Sequence, residues 1–225
     1  MPVHLLLIVK VVAMVGLIAW LLRQFRKPSG WLGRGIARSM NVSHGQMTDW
    51  GLQQVAVARD AAILDVGCGG GETVRKLAEM APAGSVVGVD LSAASVAVAR
   101  KTNAAQVAAG RVRIEEGSVA ALPFVDASFD VVTAVETHYY WPDLPANVRE
   151  IRRVLKPGGS FALIAEAYRG GPLGLLYAVV MPLLGGKLLS DKEHRDLLVQ
   201  AGFVDVATHH QKGTNWICAV GKREP

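Results

Sequence analysis

Residues 61–72 read A-A-I-L-D-V-G-C-G-G-G-E. The first six are apolar apart from Asp65, the pattern of a strand buried on both faces of a parallel sheet. Gly67, Gly69, Gly70 and Gly71 then forbid a regular element, and helix formers resume over residues 73–80. A strand, a glycine turn and a helix make a cradle in which a ligand can lie against bare backbone.

The dinucleotide fingerprint G-x-G-x-x-G places a third glycine at the helix entry, with pyrophosphate facing the helix N-terminus. Here that position is Glu72, and Asp65 adds a second negative charge two residues before the turn. Both would repel pyrophosphate and favour a cationic ligand. S-adenosylmethionine, with a sulfonium, an ammonium and no phosphate, fits these charges, and NAD is the rival. A second apolar strand over residues 85–89 ends in Asp90, where a carboxylate can accept from both ribose hydroxyls of either cofactor.

The chain has 225 residues, 51% of them hydrophobic, which suits one domain with an appendage. Its net charge of +5 is local: six basic residues precede the first acid, Asp49, leaving 18 basic against 19 acidic residues in the body. This argues against a nucleic-acid-binding face. Cys68 and Cys218 have no metal-ligand spacing, His209 and His210 lack a third ligand, and no metal site is expected.

Residues 3–22 are apolar except for His4, Lys10 and Gly16, long enough to cross a bilayer core of about 30 Å. Lys10 costs roughly 2.5 to 3.5 kcal/mol near the helix centre, which the surrounding leucines, isoleucines and valines can offset. Arg23, Arg26 and Lys27 follow directly, so a single-pass anchor over residues 1–27 is expected, with the body on the cytoplasmic side. Residues 28–50 read as a linker and N-terminal cap, Pro28 to Gly30 being turn formers and Trp50 a packing residue. His44 in that stretch reads as an incidental surface histidine.

Beyond Asp90 the pattern alternates: a helix over 92–109, a strand over 111–115, a loop G-S-V-A-A-L-P, and a strand over 129–135. A helix over 146–155 is followed by a K-P-G-G turn and a strand over 160–165. A helix over 190–201 and strands over 203–209 and 215–220 close the chain. This gives an α/β fold, doubly wound on a mostly parallel seven-stranded sheet. The apolar stretch between Gly170 and Gly186 is too short and too broken by Pro182 to span a membrane. It reads as a buried helix, a substrate lid or a membrane-facing patch.

The ordered set I-L-D-V-G-C-G-G-G, V-G-V-D-L-S, A-L-P-F, F-D-V-V and V-L-K-P-G-G resembles the class I S-adenosylmethionine-dependent methyltransferases, particularly the small-molecule branch that includes quinone-biosynthesis enzymes. The resemblance covers about residues 50–222, and implies a Rossmann-like methyltransferase domain over 51–225. It places Asp65, Gly67 and Gly69 at the methionine end, Asp90 on the ribose, and Ser118 with Val119 beside the adenine. Cys68, Leu91 and Glu136 are expected to complete the cofactor site. Ser118 stands where the family often has an acid, so the adenine amino group would meet no charge.

The 129–135 strand ends in E-T-H-Y-Y-W-P, at the sheet edge where open α/β folds hold ligands. His138 is a candidate base, and Tyr139, Tyr140 and Trp141 a candidate wall that stabilises the sulfonium through cation–π contact. Glu166 reaches the same edge. The expected function is membrane-tethered methylation of a small, apolar or lipid-like acceptor from S-adenosylmethionine. An NAD(P)-dependent oxidoreductase and a non-catalytic cofactor-binding scaffold are the alternatives.

Overall fold

The computed structural model describes residues 27–225. The expected anchor falls, but for Lys27, outside the described residues, and among these no helix is long and apolar enough to cross a membrane. Seven strands form one sheet: β1 Ala62–Val66, β2 Ser85–Asp90, β3 Val112–Glu116, β4 Phe129–Val135, β5 Leu155–Ala165, β6 Phe203–His210 and β7 Ile217–Arg223. Their spatial order is β3-β2-β1-β4-β5-β7-β6, with β7 antiparallel to both neighbours and the other pairings parallel. Chain order reverses between β1 and β4, so the cleft opens at the carboxyl ends of those two strands.

Both faces of the central strands β1, β4 and β5 are largely buried. In β1 Ile63 points into one core, with Val74, Leu77 and Val96, while Leu64 and Val66 point into the other, with Val148, Ile151 and Leu197. Each such side chain contributes about 1.5 to 3 kcal/mol on burial, which is why the strands read as continuous apolar runs. The helices that cover the first core are α2 Gly45–Leu52, α3 Glu72–Met80 and α4 Ala93–Thr102. On the second lie α6 Leu144–Val154 and α8 Asp191–Gln200. Asp143 caps α6 by accepting from Ala146 N at 3.0 Å, and Ser190 with Glu193 forms a capping box on α8.

Four boundaries differ from the sequence reading. Residues 92–109 form two helices, α4 and the short α5 Ala104–Ala108, because buried Asn103 turns its Nδ2 to Gly71 O and Ala99 O, both at 2.9 Å. The K-P-G-G turn lies inside β5 as a register shift against β4. The 28–30 linker is no solvated tether: Pro28 is buried, and its carbonyl accepts from Ser92 Oγ. From Gly30 to Ser43 runs a helix, α1, that packs on α4. Trp50 does pack on the domain, its ring 6.1 Å from that of Trp216.

The stretch read as a possible buried helix is a helix, α7 Gly174–Leu183, with an exposed apolar side. Leu175 is 85% exposed, Leu183 70% and Val179 61%, while Tyr177 and Met181 turn inward onto the second core.

Candidate active site

The cleft is built by the glycine turn. Gly67, Gly69 and Gly71 have φ of 74°, 51° and 83°, and Gly67 N and Cys68 N donate to Val89 O at 2.7 and 3.0 Å, stitching the turn to β2. At Gly67 a Cβ would overlap the Thr137 side chain, so the position needs glycine for space as well as for its φ. Glu72, the first residue of α3, is engaged by Arg75 at 2.6 Å, which leaves a paired carboxylate where pyrophosphate would have to sit. That disfavours the dinucleotide reading.

At the end of β2, Asp90 accepts from Gly69 N through Oδ2 at 2.9 Å and from Ser92 N through Oδ1 at 2.8 Å. Two backbone N–H groups and the Ser95 side chain engage this carboxylate, and a carboxylate offers about four acceptor positions in all. Burial pushes its pKa up, against the pull of these two N–H groups, of the Lys27 charge and of the Ser95 side chain. On one side of Asp90 the cleft is lined by Gly67, Cys68, Gly69, Glu136 and Tyr140, and on the other by Leu91, Ser118, Val119, Trp141 and Pro142. The N-terminal cap roofs the first part with Pro28, Ala37, His44 and Thr48. Lys76 Nζ donates to Gly45 O at 3.0 Å and pairs with Asp49, tying that cap to α3.

The cleft thus brings together Gly67, Cys68, Gly69, Asp90, Leu91, Ser118, Val119 and Glu136. Ser118 Oγ accepts from Ala120 N at 3.2 Å and keeps its own proton. Three expected site residues lie elsewhere. Asp65 is buried beneath the turn and accepts from Thr133 Oγ1 at 2.7 Å, and desolvation raises its pKa to about 7. His138 is fully buried, both ring nitrogens lack a hydrogen-bond partner among the described residues, and burial beside His194 pushes its pKa well down. It is not placed to take a proton from an acceptor in the cleft. Tyr139 is buried too, its hydroxyl donating to Glu136 Oε1 at 2.8 Å and accepting from Ala167 N at 2.9 Å. It orients Glu136 rather than walling the cleft.

The cause is local. Strand alternation stops at Glu136, which has a φ of 56°, and residues His138–Tyr140 form a 3₁₀ turn. That turn sends Thr137 and Tyr140 to the cleft and His138 and Tyr139 to the core. In its place the cap delivers His44. Its ring, the Glu136 carboxylate and the Glu166 carboxylate each offer an atom within 4.8 Å of the others, the one group among the described residues that could hold a metal ion. Spacing could not have flagged it, since the three lie in separate segments.

A family profile described as a methyltransferase domain matches residues 63–159. Over 153 residues the chain is 35% identical to the demethylmenaquinone methyltransferase of Thermus thermophilus, covering 64% of this chain and 69% of that protein. The chain belongs to the class I S-adenosylmethionine-dependent methyltransferases. Its relative from Symbiobacterium thermophilum, also a demethylmenaquinone methyltransferase, is 37% identical over 129 residues, covering 56% of this methyltransferase but only 51% of the relative. The match thus spans from 51% to 69% of these two curated relatives' length. Among solved structures, the methyltransferase from a Haloferax volcanii complex with the Trm112 methyltransferase activator superposes with a TM-score of 0.75 at 22% identity, covering 87% of this chain and 96% of that one. Human N-acetylserotonin methyltransferase, solved with S-adenosylmethionine, gives 0.71 at 18% identity, covering 85% and 56%. The cofactor of this methyltransferase is S-adenosylmethionine, and the cleft fits it: a glycine turn at Gly67 to Gly71, the Asp90 carboxylate at the strand end, and, among the described residues, no lysine or arginine in the lining around that turn.

Proposed function

We propose that this methyltransferase modifies a small hydrophobic acceptor, a quinone- or lipid-like ring compound, at the cytoplasmic face of a membrane. S-adenosylmethionine would supply an electrophilic methyl on a sulfonium, the acceptor's bond to the methyl carbon forming in line as the carbon–sulfur bond breaks and S-adenosylhomocysteine leaves. Asp90 holds the ribose hydroxyls, Gly67 to Gly69 accommodate the methionine end, and Leu91, Ser118 and Val119 border the base. Tyr140, on the wall shared by both halves of the cleft, and Glu136 bound the space left for the acceptor. Alignment is the main source of rate, as suits an in-line displacement.

The observation that carries the acceptor class is α7. Its outer side presents Leu175, Leu176, Val179 and Leu183 to solvent, while burial first, and then the nearby Glu166 and Glu136 charges, push the pKa of its inner Tyr177 up to about 12. An apolar surface thus backs directly onto the acceptor end, a route for a molecule arriving from a bilayer. The apolar run at residues 3–22, followed by Arg23, Arg26 and Lys27, supports tethering on the cytoplasmic side. The two demethylmenaquinone methyltransferases support a quinone-like acceptor.

The test is transfer of labelled methyl from S-adenosylmethionine into a membrane-lipid extract, with identification of the labelled compound. The full chain should label an apolar molecule, and Asp90→Ala should lose cofactor affinity by about 10²-fold, since two charge-assisted hydrogen bonds of about 1.5 kcal/mol each go. Cofactor binding without label in any fraction would sink the catalytic reading and leave a scaffold. Label confined to water-soluble metabolites would overturn the acceptor class.

A further inference from the structure

We propose that His44, Glu136 and Glu166 form a binding site for a divalent transition-metal cation at the acceptor end of the cleft, and that this cation takes a hydroxyl oxygen of the acceptor. The second half rests on the methyltransferase reading; the first stands without it. The three residues come from the joint between α1 and α2 and from the carboxyl ends of β4 and β5. One ligand atom from each lies within 4.8 Å of the other two. Around a common ion with bonds of about 2.1 Å, ligand atoms are separated by roughly 3 to 4 Å, so small side-chain rotations close the triangle.

Two features beyond proximity point to a built site. Both carboxylates are held from behind by tyrosines. Tyr139 donates to Glu136 Oε1 and is itself fixed by Ala167 N, the Glu166 N–H donates to the same Oε1, and the Tyr177 hydroxyl engages the Glu166 side chain. Outer partners of this kind aim inner ligands. The charge is also unbalanced. Two carboxylates share the cluster with one imidazole. A dication removes the repulsion, and no lysine or arginine among the described residues lines this part of the cleft.

The donor set is one imidazole and two carboxylates, which suits Mn²⁺, Fe²⁺ or Zn²⁺ better than Ca²⁺, whose sites are all oxygen. With three protein ligands the remaining positions are open, and His44 and Glu136 both line the cleft beside Gly67 and Gly69. A hydroxyl oxygen placed there loses its proton to water and keeps the electron pair, because the cation lowers its proton affinity. The acceptor is then a hydroxylated ring, and the cation does the activating work for which His138 is out of reach.

The full chain, freed of metal by chelator, is titrated with MnCl₂ and followed by the loss of free Mn²⁺ signal in electron paramagnetic resonance, with and without S-adenosylmethionine. One Mn²⁺ per chain is expected. Glu166→Gln and His44→Ala should each weaken it by at least about tenfold, and Tyr177→Phe, which leaves the three ligands in place, by about tenfold. Cofactor affinity should move less than about threefold in Glu166→Gln, which lies off the cofactor's path, and melting curves identify any variant that fails to fold. No Mn²⁺ or Zn²⁺ bound at millimolar concentration, or binding indifferent to all three substitutions, overturns the proposal. Metal bound as expected with no methyl transferred to any hydroxylated ring leaves the site standing and refutes its second half.

Discussion

Asp65→Asn should stabilise the protein above pH 7 and leave it almost unchanged near pH 4. The carboxyl lies buried in β1 and its one bond is from Thr133 Oγ1, and desolvation lifts its pKa from 3.8 to about 7. Between those values the folded chain holds the proton and the unfolded chain has released it. Stability from this group is therefore complete below about pH 4 and is lost as pH rises to 7. A rise of that size corresponds to about 4 kcal/mol, which Asn, close in shape to the neutral acid and still able to accept from Thr133, does not lose. For a domain of this size that is a rise of roughly 10 °C in melting temperature at pH 8. Burial raises Asp90 and Glu136 and lowers His138 and His194, but these shifts are shared by parent and variant. The difference between the two proteins isolates Asp65, apart from its weak coupling to Asp90. Melting the full chain in detergent, parent beside variant, at pH 4.5, 6 and 8 measures it. A difference that does not grow with pH would refute the reasoning, since the carboxylate would then be ionised in the folded protein at no cost.

Gly67→Ala should cost about 2 kcal/mol or more, because φ is 74° and the new methyl overlaps Thr137, and it should weaken cofactor binding in step. Adding Thr137→Ala should recover the steric part in melting temperature but not the conformational part. His138→Leu should leave turnover within about threefold and raise the melting temperature by a few degrees, since two unpartnered buried ring nitrogens are removed. A fall of 10² or more in turnover with affinity intact would reinstate His138 as the base.

The sheet, the glycine turn and Asp90 were legible because their signals are local. Buried parallel strands are apolar throughout, a turn that needs positive φ needs glycine, and a strand end at the switch point has a fixed address. The Ser190 capping box and the Asp90 turn follow the same logic, a few residues each. Sequence misaimed at His138 for an equally local reason it could not see. The alternation of β4 predicts which side chain faces the cleft only while the strand lasts, and directly after Val135 the chain turns at Glu136, whose φ is 56°. Asp65 misleads differently. In the sequence its charge counts as if solvated, whereas a carboxyl with almost no exposure to water is neutral at pH 6, and the field at the turn then comes from Asp90.

His44 and α7 fall in a third class, in which the sequence states a preference and only packing states the outcome. Nothing near His44 marks it: the residues that give it meaning are 92 and 122 positions away, and what delivers it is Lys76 clasping the cap from α3. Hydropathy, for its part, says that residues 173–183 avoid water without saying what covers them. Leu173, Leu175, Leu176, Val179 and Leu183 are left outside while Tyr177 holds the inner face against the acid pair. An apolar helix that backs onto charged residues is an odd way to fill a core, and under the function proposed above it would pass an apolar ring from a bilayer to a polar reaction centre. Asn215 makes that connection rigid, its Nδ2 donating to Glu166 O at 2.9 Å while its Oδ1 accepts from Leu173 N at 2.9 Å. The entry to α7 and the backbone of Glu166 are thus fixed to one side chain, so displacement of the helix by a membrane surface would be felt at the carboxylate. Asn215→Ala should then uncouple the two, lowering turnover on vesicle-borne acceptor more than on acceptor presented in detergent. An equal loss in both would mean that Asn215 only holds the fold.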